Sequence, residues 1–410
     1  MALVVQKYGG TSVGTLERIQ KVAERVAKTR ASGKDVAVVV SAMSGETNRL
    51  LAMSQQLAVS PEAREVDALV STGEQVTAAL LSIVLNNMGV PARSLLGHQV
   101  RILTDNAFTK ARIRTIESAK LNETLEQGRV AVIPGFQGMD KDGNITTLGR
   151  GGSDTTAVAI AAATGAECCE IYTDVDGVYT TDPNICKNAQ KIEQISYEEM
   201  LELASLGAKV LQIRSVEIAM KYAVPVHVRS SFSDRPGTWV VPEDNLEAVV
   251  VAGVTYDKNE TKLTIRAVPD HPGIVASVFE PLSEANISVD MIIQNVSAQG
   301  STDLTFTCTK SDVKRAKEIA ESVSRAVGGG EIVVDEAVVK VSIVGAGMRS
   351  HAGVAAKTFR ILADESINII AISTSEIKVS VLIHSKYAEL AVHALHQGFG
   401  LGKNSTQPPA

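Results

Sequence analysis

The chain has 410 residues, with 40 Lys and Arg against 46 Asp and Glu for a net charge of −6, and is 45% apolar but only 4% aromatic. That length exceeds one comfortable core, so two or three domains are expected, and the mild acidity argues against nucleic acid or an anionic membrane as partner. No apolar run approaches the roughly 18 residues that span a bilayer. Cys168, Cys169, Cys186 and Cys308 lack metal-ligand spacing, which predicts reduced thiols in the cytosol and no metal site built by the protein alone. The N-terminus runs straight into a strand bearing a candidate catalytic lysine, which speaks against a cleaved signal peptide.

The first 245 residues alternate strand and helix patterns, predicting a three-layer αβα domain with a mainly parallel sheet between two helical layers. Leu3–Lys7 reads as a strand running into Tyr8-Gly9-Gly10-Thr11-Ser12. The Gly-Gly turn offers backbone N–H groups at a strand mouth, where phosphates bind, and Lys7 is the cation beside it. Leu16–Thr29 is predicted as an amphipathic helix, Val36–Ser41 as a buried strand and Ser41–Asn48 as a loop. A helix over Thr72–Met88 and strands over Val100–Leu103 and Val130–Pro134 follow. Asp142-Gly143 marks a hairpin turn between Gln137 and Ile145. Thr147-Leu148-Gly149-Arg150-Gly151-Gly152-Ser153-Asp154 is a second glycine-rich turn, opening a helix over Asp154–Thr164. Strands over Cys169–Thr173 and Val226–Val228 complete the domain, and Pro236-Gly237 with Pro242-Glu243-Asp244-Asn245 marks a linker. Neither glycine loop has the P-loop pattern. Two phosphate-type loops in one domain point to transfer between bound groups.

Beyond the linker the chain repeats itself. His271-Pro272-Gly273-Ile274-Val275-Ala276 with Phe279, Leu282, Ile287 and Val289 recurs 80 residues later as His351-Ala352-Gly353-Val354-Ala355-Ala356 with Phe359, Leu362, Ile367 and Ile369. The strands upstream, Lys262–Ile265 and Lys340–Ile343, recur at an offset of 78. Each unit reads as a ferredoxin-like module of strand, glycine loop, helix, two strands and helix. The first copy, residues 262–338, ends in a further strand over Glu331–Asp335, whereas the second, residues 339–410, ends in a polar tail. A sheet short of one strand leaves an open edge, so the apolar run Glu247–Val254 is expected to complete the second module.

In motif order the chain resembles the aspartokinases, amino-acid kinases with paired ACT domains. The segments that carry the resemblance are Lys7–Ser12, Ser71-Thr72-Gly73-Glu74, Gly135-Phe136-Gln137-Gly138, Gly149–Asp154 and Tyr172–Tyr179, together with the C-terminal repeat. The resemblance implies phosphorylation of the side-chain carboxylate of L-aspartate by ATP with Mg²⁺, at a feedback-regulated step of amino-acid biosynthesis. Another enzyme of the same fold, such as an acetylglutamate or glutamate 5-kinase, is the rival within the class. A non-catalytic amino-acid sensor is the rival outside it, and the presence of both Lys7 and Asp154 argues against that.

Phosphoryl transfer needs charge neutralisation and alignment more than covalent help. Lys7 suits the cation on the transferring phosphoryl, and Asp154, an acceptor at the helix start, would orient Lys7 or the metal–phosphate assembly. The Arg150 guanidinium fits a substrate carboxylate, and Gly151, Gly152 and Ser153 complete that cradle. The resemblance adds Glu74 for the substrate ammonium, Thr47 as a further substrate contact and Ser41 on the phosphate side. It also implies nucleotide-binding roles for Tyr8, Gly9, Gly10, Thr173, Asp174, Tyr179, Asp182, Lys209 and Val210. In the repeat it implies effector positions for lysine, threonine or both. These are Asp270, Gly273, Ile274, Val275, Ser288, Val289, Asp290, Gln294 and Asn295 in the first copy, and Val354, Ala355, Asn368, Ile369, Ser375 and Glu376 in the second. Asp290 or Glu376 would take the effector ammonium, and the modules would build a homodimer or larger homo-oligomer.

Overall fold

The computed structural model describes residues 2–207, 210–243, 250–294, 300–351 and 353–402. They form two compact units. The first comprises residues up to Val178, Lys191–Ser205 and 210–243; the second comprises Tyr179–Gln190, Leu206, Gly207 and residues from 250 onward. The segment Tyr179–Gln190 thus falls in the second unit, although its place in the chain lies within the αβα domain expected over residues 1–245.

In the first unit β1 (Leu3–Tyr8), α1 (Leu16–Ala31), β2 (Asp35–Val40), α2 (Glu46–Leu57), α3 (Ala63–Val70) and α4 (Thr72–Asn87) come first. Then follow β3 (Ala92–Ser94), β4 (Ile102–Thr104), β5 (Ile113–Ile116), α5 (Ala119–Glu126), β6 (Val130–Pro134), β7 (Gln137–Met139) and β8 (Ile145–Thr147). The unit ends with α6 (Gly152–Thr164), β9 (Cys168–Thr173), β10 (Gln194–Ser196), α7 (Tyr197–Ser205), α8 (Ile213–Tyr222), β11 (Val226–Ser230) and β12 (Thr238–Val241). Eight strands form the main sheet in the order β10-β12-β11-β9-β1-β2-β6-β3. Its central run is parallel, and only the β11–β12 pairing is antiparallel. A parallel central strand is buried on both faces, which is why β2 can read Val-Ala-Val-Val-Val without a polar break. Side chains alternate across the sheet. Tyr8, Val36, Val38 and Val40 pack with Ile19, Val22 and Val26 of α1 and Ala78, Leu81 and Leu85 of α4. Lys7 therefore faces the opposite layer, where α6 lies.

A smaller sheet, β5-β4-β7-β8, holds the hairpin expected at Asp142-Gly143. Asp140 caps that turn by accepting from the N–H groups of Asp142 and Asn144 at 2.9 and 2.8 Å. One expectation needs correcting. The stretch Ala63–Asn87 is long and apolar enough to cross a bilayer, yet half of its most apolar part is buried in the fold. Ala78, Leu81 and Leu85 of α4 serve the core beneath the sheet, while Val76 and Ile83 on the outer face stay exposed.

In the second unit the first repeat forms β14 (Glu260–Pro269), α9 (Ile274–Glu284), β15 (Val289–Gln294), β16 (Ser301–Thr309), α10 (Val313–Val327) and β17 (Ile332–Asp335), preceded in the chain by β13 (Gly253–Asp257). The second repeat forms β18 (Val338–Val344), α11 (Val354–Asp364), β19 (Ile369–Thr374), β20 (Lys378–His384) and α12 (Ala388–Gly398). The two sheets run β15-β16-β14-β17 and β19-β20-β18-β13. In the second, β13 stands where β17 stands in the first, antiparallel to β18 with Val254 opposite Ile343. The strand shares only Gly253 and Val254 with the expected run, whose residues 247–249 lie outside the described residues. It extends to Asp257 because Val254 and Tyr256, two apart, both pack into the module core, whereas the uniform apolar run stops at Val254.

Val254 is 1% exposed, so Val254→Asp buries an unpaired carboxylate in that core. It is expected to destabilise the second unit by about 3 kcal/mol or more, read as a lowered melting transition by circular dichroism. An unshifted transition would show that the strand contributes nothing to the core.

Candidate active site

In parallel α/β sheets, ligand sites form beyond the carboxyl ends of the strands. Here three neighbouring strand ends converge. After β1 come Gly9 and Gly10, after β2 Ser41 and Ala42, and after β6 Gly135, with Ser41 N–H donating to the Tyr8 carbonyl at 3.0 Å and Gly135 N–H to the Val40 carbonyl at 2.9 Å. A Cβ on Gly10 would sit 3.0 Å from the Ala42 carbonyl oxygen, so glycine is what lets the first two turns touch.

From the opposite layer α6 presents its N-terminus to this corner. The helix starts two residues earlier than expected, at Gly152, and Gly151 at its N-cap has φ +69°, a conformation suited to glycine. Asp154 is therefore in the first helical turn, where the helix dipole favours a carboxylate. Its Oδ1 lies 2.6 Å from Lys7 Nζ, both side chains being about one-tenth exposed at 10% and 12%. Ser153 is buried because Gly135 admits it: a Cβ on Gly135 would fall 2.8 Å from Ser153 Cβ. A side chain on Gly152 would likewise strike Leu148 and Phe136 at 2.9 Å. Arg150 projects into solvent between Gly149 (φ +78°) and Gly151.

Glu74 lies in the first turn of α4. Its Oε1 accepts from Ala42 N–H at 3.1 Å, while Oε2 is buried with no hydrogen-bond partner in the structure. Burial pushes its carboxyl up to about 7, against the Ala42 hydrogen bond. Gly73 permits the approach, since a Cβ there would meet Ala42 Cβ at 2.9 Å. The result is an anion receptor (Lys7 and the α6 terminus) near a cation receptor (the free Glu74 oxygen), joined through Ala42 and Gly10.

Several expected residues stand differently. Thr47 is in the first turn of α2, not in a loop, because Gly45 at φ +84° ends the loop and starts the helix. The Tyr8 ring faces away from Lys7, fully buried and stacked on Tyr172 at 4.8 Å, so only its backbone borders the site. The Gly9 N–H, expected to hold phosphate, donates to the Tyr172 carbonyl at 3.2 Å. Thr173 ends β9, and its hydroxyl donates at 3.1 Å to exposed Asp174 just beyond the strand. Tyr179 and Asp182 belong to the second unit, where Asp182 accepts from Asn184 N–H at 2.8 Å and from the Tyr256 hydroxyl at 3.4 Å. Val210 is half-buried, and Lys209 lies outside the described residues. The Ala42 amide and Gly135 were given no role from sequence; each acts through backbone position, which side-chain chemistry does not advertise.

In the second unit Gly273 (φ +94°) and Gly353 (φ +102°) open α9 and α11 in the same way. Asp270 precedes the first loop, with Ile274 and Val275 in its helix, as Val354 and Ala355 are in the second. Ser288, Val289, Asp290 and Gln294 lie at or on β15, Asn368 and Ile369 at the start of β19, and Ser375 and Glu376 in the turn after it. Asn295 lies outside the described residues. Both carboxylates expected to receive an ammonium already hold a cation. Asp290 pairs with buried Lys340, which also pairs with Glu260, and Glu376 lies 3.4 Å from Arg349. Burial opposes the Lys340 charge, but the two carboxylates raise its pKa above the usual lysine value.

Residues 2–230 match the amino acid kinase family, and residues 263–328 and 341–399 each match an ACT domain. The chain is 57% identical over 410 residues to an aspartokinase of Pseudomonas aeruginosa, covering 99% of this chain and 100% of that one. It is 56% identical over 403 residues to an aspartate kinase of Stutzerimonas stutzeri, covering 98% of both. Among solved structures, Escherichia coli aspartokinase III in complex with aspartate and ADP aligns at TM-score 0.80 and 28% identity, over 97% of this chain and 99% of that one. The same enzyme with lysine and aspartate aligns at TM-score 0.75 and 28% identity, with the same coverage.

The raised Glu74 carboxyl makes a prediction independent of any ligand. Between about pH 4.5 and 7 the folded chain keeps a proton on Glu74 that the unfolded chain releases. The stability this proton contributes is full below the unfolded pKa and lost as pH rises through about 7. Glu74→Gln should flatten that part of the pH–stability curve, measured by denaturant unfolding, and an unchanged slope would place the proton elsewhere.

Proposed function

The chain belongs to the aspartokinases of the amino acid kinase family, and we infer from the site how it carries out their reaction, the ATP-dependent phosphorylation of the side-chain carboxylate of L-aspartate to 4-phospho-L-aspartate. The observation that carries this reading is the Lys7–Asp154 pair at 2.6 Å, set where the first glycine turn meets the N-terminus of α6. The nucleophile is a carboxylate already ionised at neutral pH, so no residue has to remove a proton. An aspartate side-chain oxygen attacks the γ-phosphorus, the bond to the β-phosphate oxygen breaks, and ADP leaves with the electron pair. Lys7 neutralises charge on the transferring group, and Asp154 fixes the Lys7 ammonium in place.

On the substrate side, the free oxygen of Glu74 receives the α-ammonium and Arg150 the α-carboxylate. Ser153, the amides of Gly151 and Gly152, and Thr47 complete the cradle. On the nucleotide side we assign Gly9, Gly10, Ser41, Thr173, Asp174 and the backbone of Tyr8, with Tyr179, Asp182, Lys209 and Val210 supplied by the following segments. Among the described residues no group of three or more His, Cys, Asp or Glu could hold a metal. Mg²⁺ would be carried largely by the nucleotide phosphates, where it would neutralise charge. Catalysis is assigned to residues 1–245 and regulation to modules 262–338 and 339–410, the latter completed by β13. Lysine, threonine or both would act at the two glycine-opened helices, and the modules would assemble a homo-oligomer. An effector ammonium would have to displace or share the cations that Asp290 and Glu376 now hold. All four cysteines are free and buried, in keeping with a reducing cytosol.

The direct test is an ATP-dependent hydroxamate assay with aspartate, glutamate and acetylglutamate, adding lysine and threonine singly and together. Turnover with aspartate alone is expected, reduced by effector; turnover preferring acetylglutamate would overturn the substrate assignment.

Lys7→Ala should still fold and bind nucleotide, at lower stability because Asp154 loses its counter-charge, while kcat falls about 10²–10³-fold, the usual loss for one electrostatic donor. A near-normal kcat would remove Lys7 from the chemistry. Arg150→Lys should raise KM for aspartate far more than for ATP, because a point charge replaces a carboxylate-matched fork. Equal effects would move Arg150 to the nucleotide side.

A further inference from the structure

One buried carboxylate of the first unit has no part in the chemistry above. Asp67, on α3, is 0% exposed. Its Oδ1 accepts from Thr147 Oγ1 at 2.6 Å and from Thr109 N–H at 3.0 Å. Its Oδ2 accepts from Thr147 N–H at 2.8 Å and again from Thr109 N–H at 2.9 Å. Three donors from two segments distant in sequence therefore converge on one carboxylate. Burying a charge costs heavily unless such donors satisfy it, so the arrangement is held for what it fixes.

What it fixes is the base of the Arg150 loop. Thr147 ends β8, two residues before Gly149. Thr109 has φ +67°, a left-handed conformation rare for a β-branched residue and kept only where the surroundings enforce it. The doubly accepted N–H of Thr109 supplies that enforcement. The Thr109 carbonyl in turn lies 3.2 Å from where a Cβ on Gly149 would be. Ala111 N–H donates to the Thr147 carbonyl at 2.9 Å, and Arg214 reaches the carbonyls of Leu148 and Ala111 at 2.7 and 3.0 Å. The loop is thus clamped from below on both sides.

The same helical rod carries the opposite end of the substrate cradle. Ser71 joins α3 to α4 with helical φ and ψ, so Asp67 and Glu74 lie seven residues apart, two turns along one face. Gln137 reinforces the join, its Nε2 donating to the Ser71 carbonyl at 2.9 Å and its Oε1 accepting from Gln75 Nε2 at 3.2 Å. We propose that Asp67 is a positioning residue for aspartate: it locks the Arg150 loop to the helix that bears Glu74 and so sets the separation between the carboxylate and ammonium receptors. The proposal rests on the roles given above to Arg150 and Glu74.

Asp67→Asn keeps the size but turns an amide N–H toward one of the three donors. In the full-length enzyme, KM for aspartate should rise about tenfold or more, the loss of one charge-assisted hydrogen bond, with KM for ATP changed no more than about twofold. Thr147→Val removes only the hydroxyl donor and should raise KM for aspartate less. Added to Asp67→Asn it should have little further effect, as expected of residues in one network. An unmoved KM for aspartate in both variants, or equal rises for aspartate and ATP, overturns the proposal. If Asp67→Asn does not fold, Thr147→Val decides alone by the same criterion. Arg150→Lys separates the two readings. If it raises KM for aspartate and neither Asp67→Asn nor Thr147→Val does, only the positioning role fails. If Asp67→Asn raises it and Arg150→Lys does not, the role of Arg150 fails and Asp67 positions the loop through its backbone.

Discussion

A lysine at the middle of an eight-stranded sheet is tolerable only because something answers its charge, and here Asp154 does so from the facing helix. Removing either partner would leave a nearly buried charge uncompensated, which is far more costly than losing a surface pair. The pair therefore binds the sheet to α6, and the glycines around it follow from that closeness. Gly10, Gly135 and Gly152 each stand where an added Cβ would come within about 3 Å of a neighbouring turn or helix. Binding site and packing constraint are the same arrangement.

The features legible in sequence were those with a local cause. The Gly-Gly turn after a strand, the Asp-Gly hairpin and the 80-residue repeat each depend on neighbours in the chain. The sequence leaves Asp154 to orient either Lys7 or the metal–phosphate assembly, and the structure sets it 2.6 Å from Lys7. The failures are equally physical. Thr47 was read as loop because its helix begins behind a glycine and lacks a Ser, Thr, Asp or Asn cap. Strand alternation turns the Tyr8 ring away from Lys7 and onto Tyr172, so the glycine turn that follows it carries no signal for the ring's direction. Asp67 could not be singled out, because its role needs Thr109 and Thr147, 42 and 80 residues away.

The two ACT sheets show how topology can be kept while connectivity changes. Both place the strand before the glycine loop beside an outer strand, yet that outer strand follows the module in one case and precedes both modules in the other. An antiparallel edge position asks only for direction, alternation and burial of side chains, and β13 meets those demands from anywhere the chain can reach. Lys340, on the second sheet, bonds Glu260 and Asp290 on the first, so the repeats share a charge network centred on a buried lysine as well as a pattern.

The segment Tyr179–Gln190 has a consequence for how this protein can be dissected. It is flanked on both sides by strands and turns of the kinase unit, yet its Thr180 carbonyl accepts from Val254 N–H at 2.8 Å and its Thr180 hydroxyl meets His396 Nε2 at 2.9 Å, both in the regulatory unit. No single cut in the chain separates the two units along their folding boundary. A fragment ending at the linker keeps this segment but strips it of β13 and α12, and a fragment beginning at the linker keeps those elements but loses the segment. Swapping regulatory modules between relatives therefore means exchanging three discontinuous stretches together.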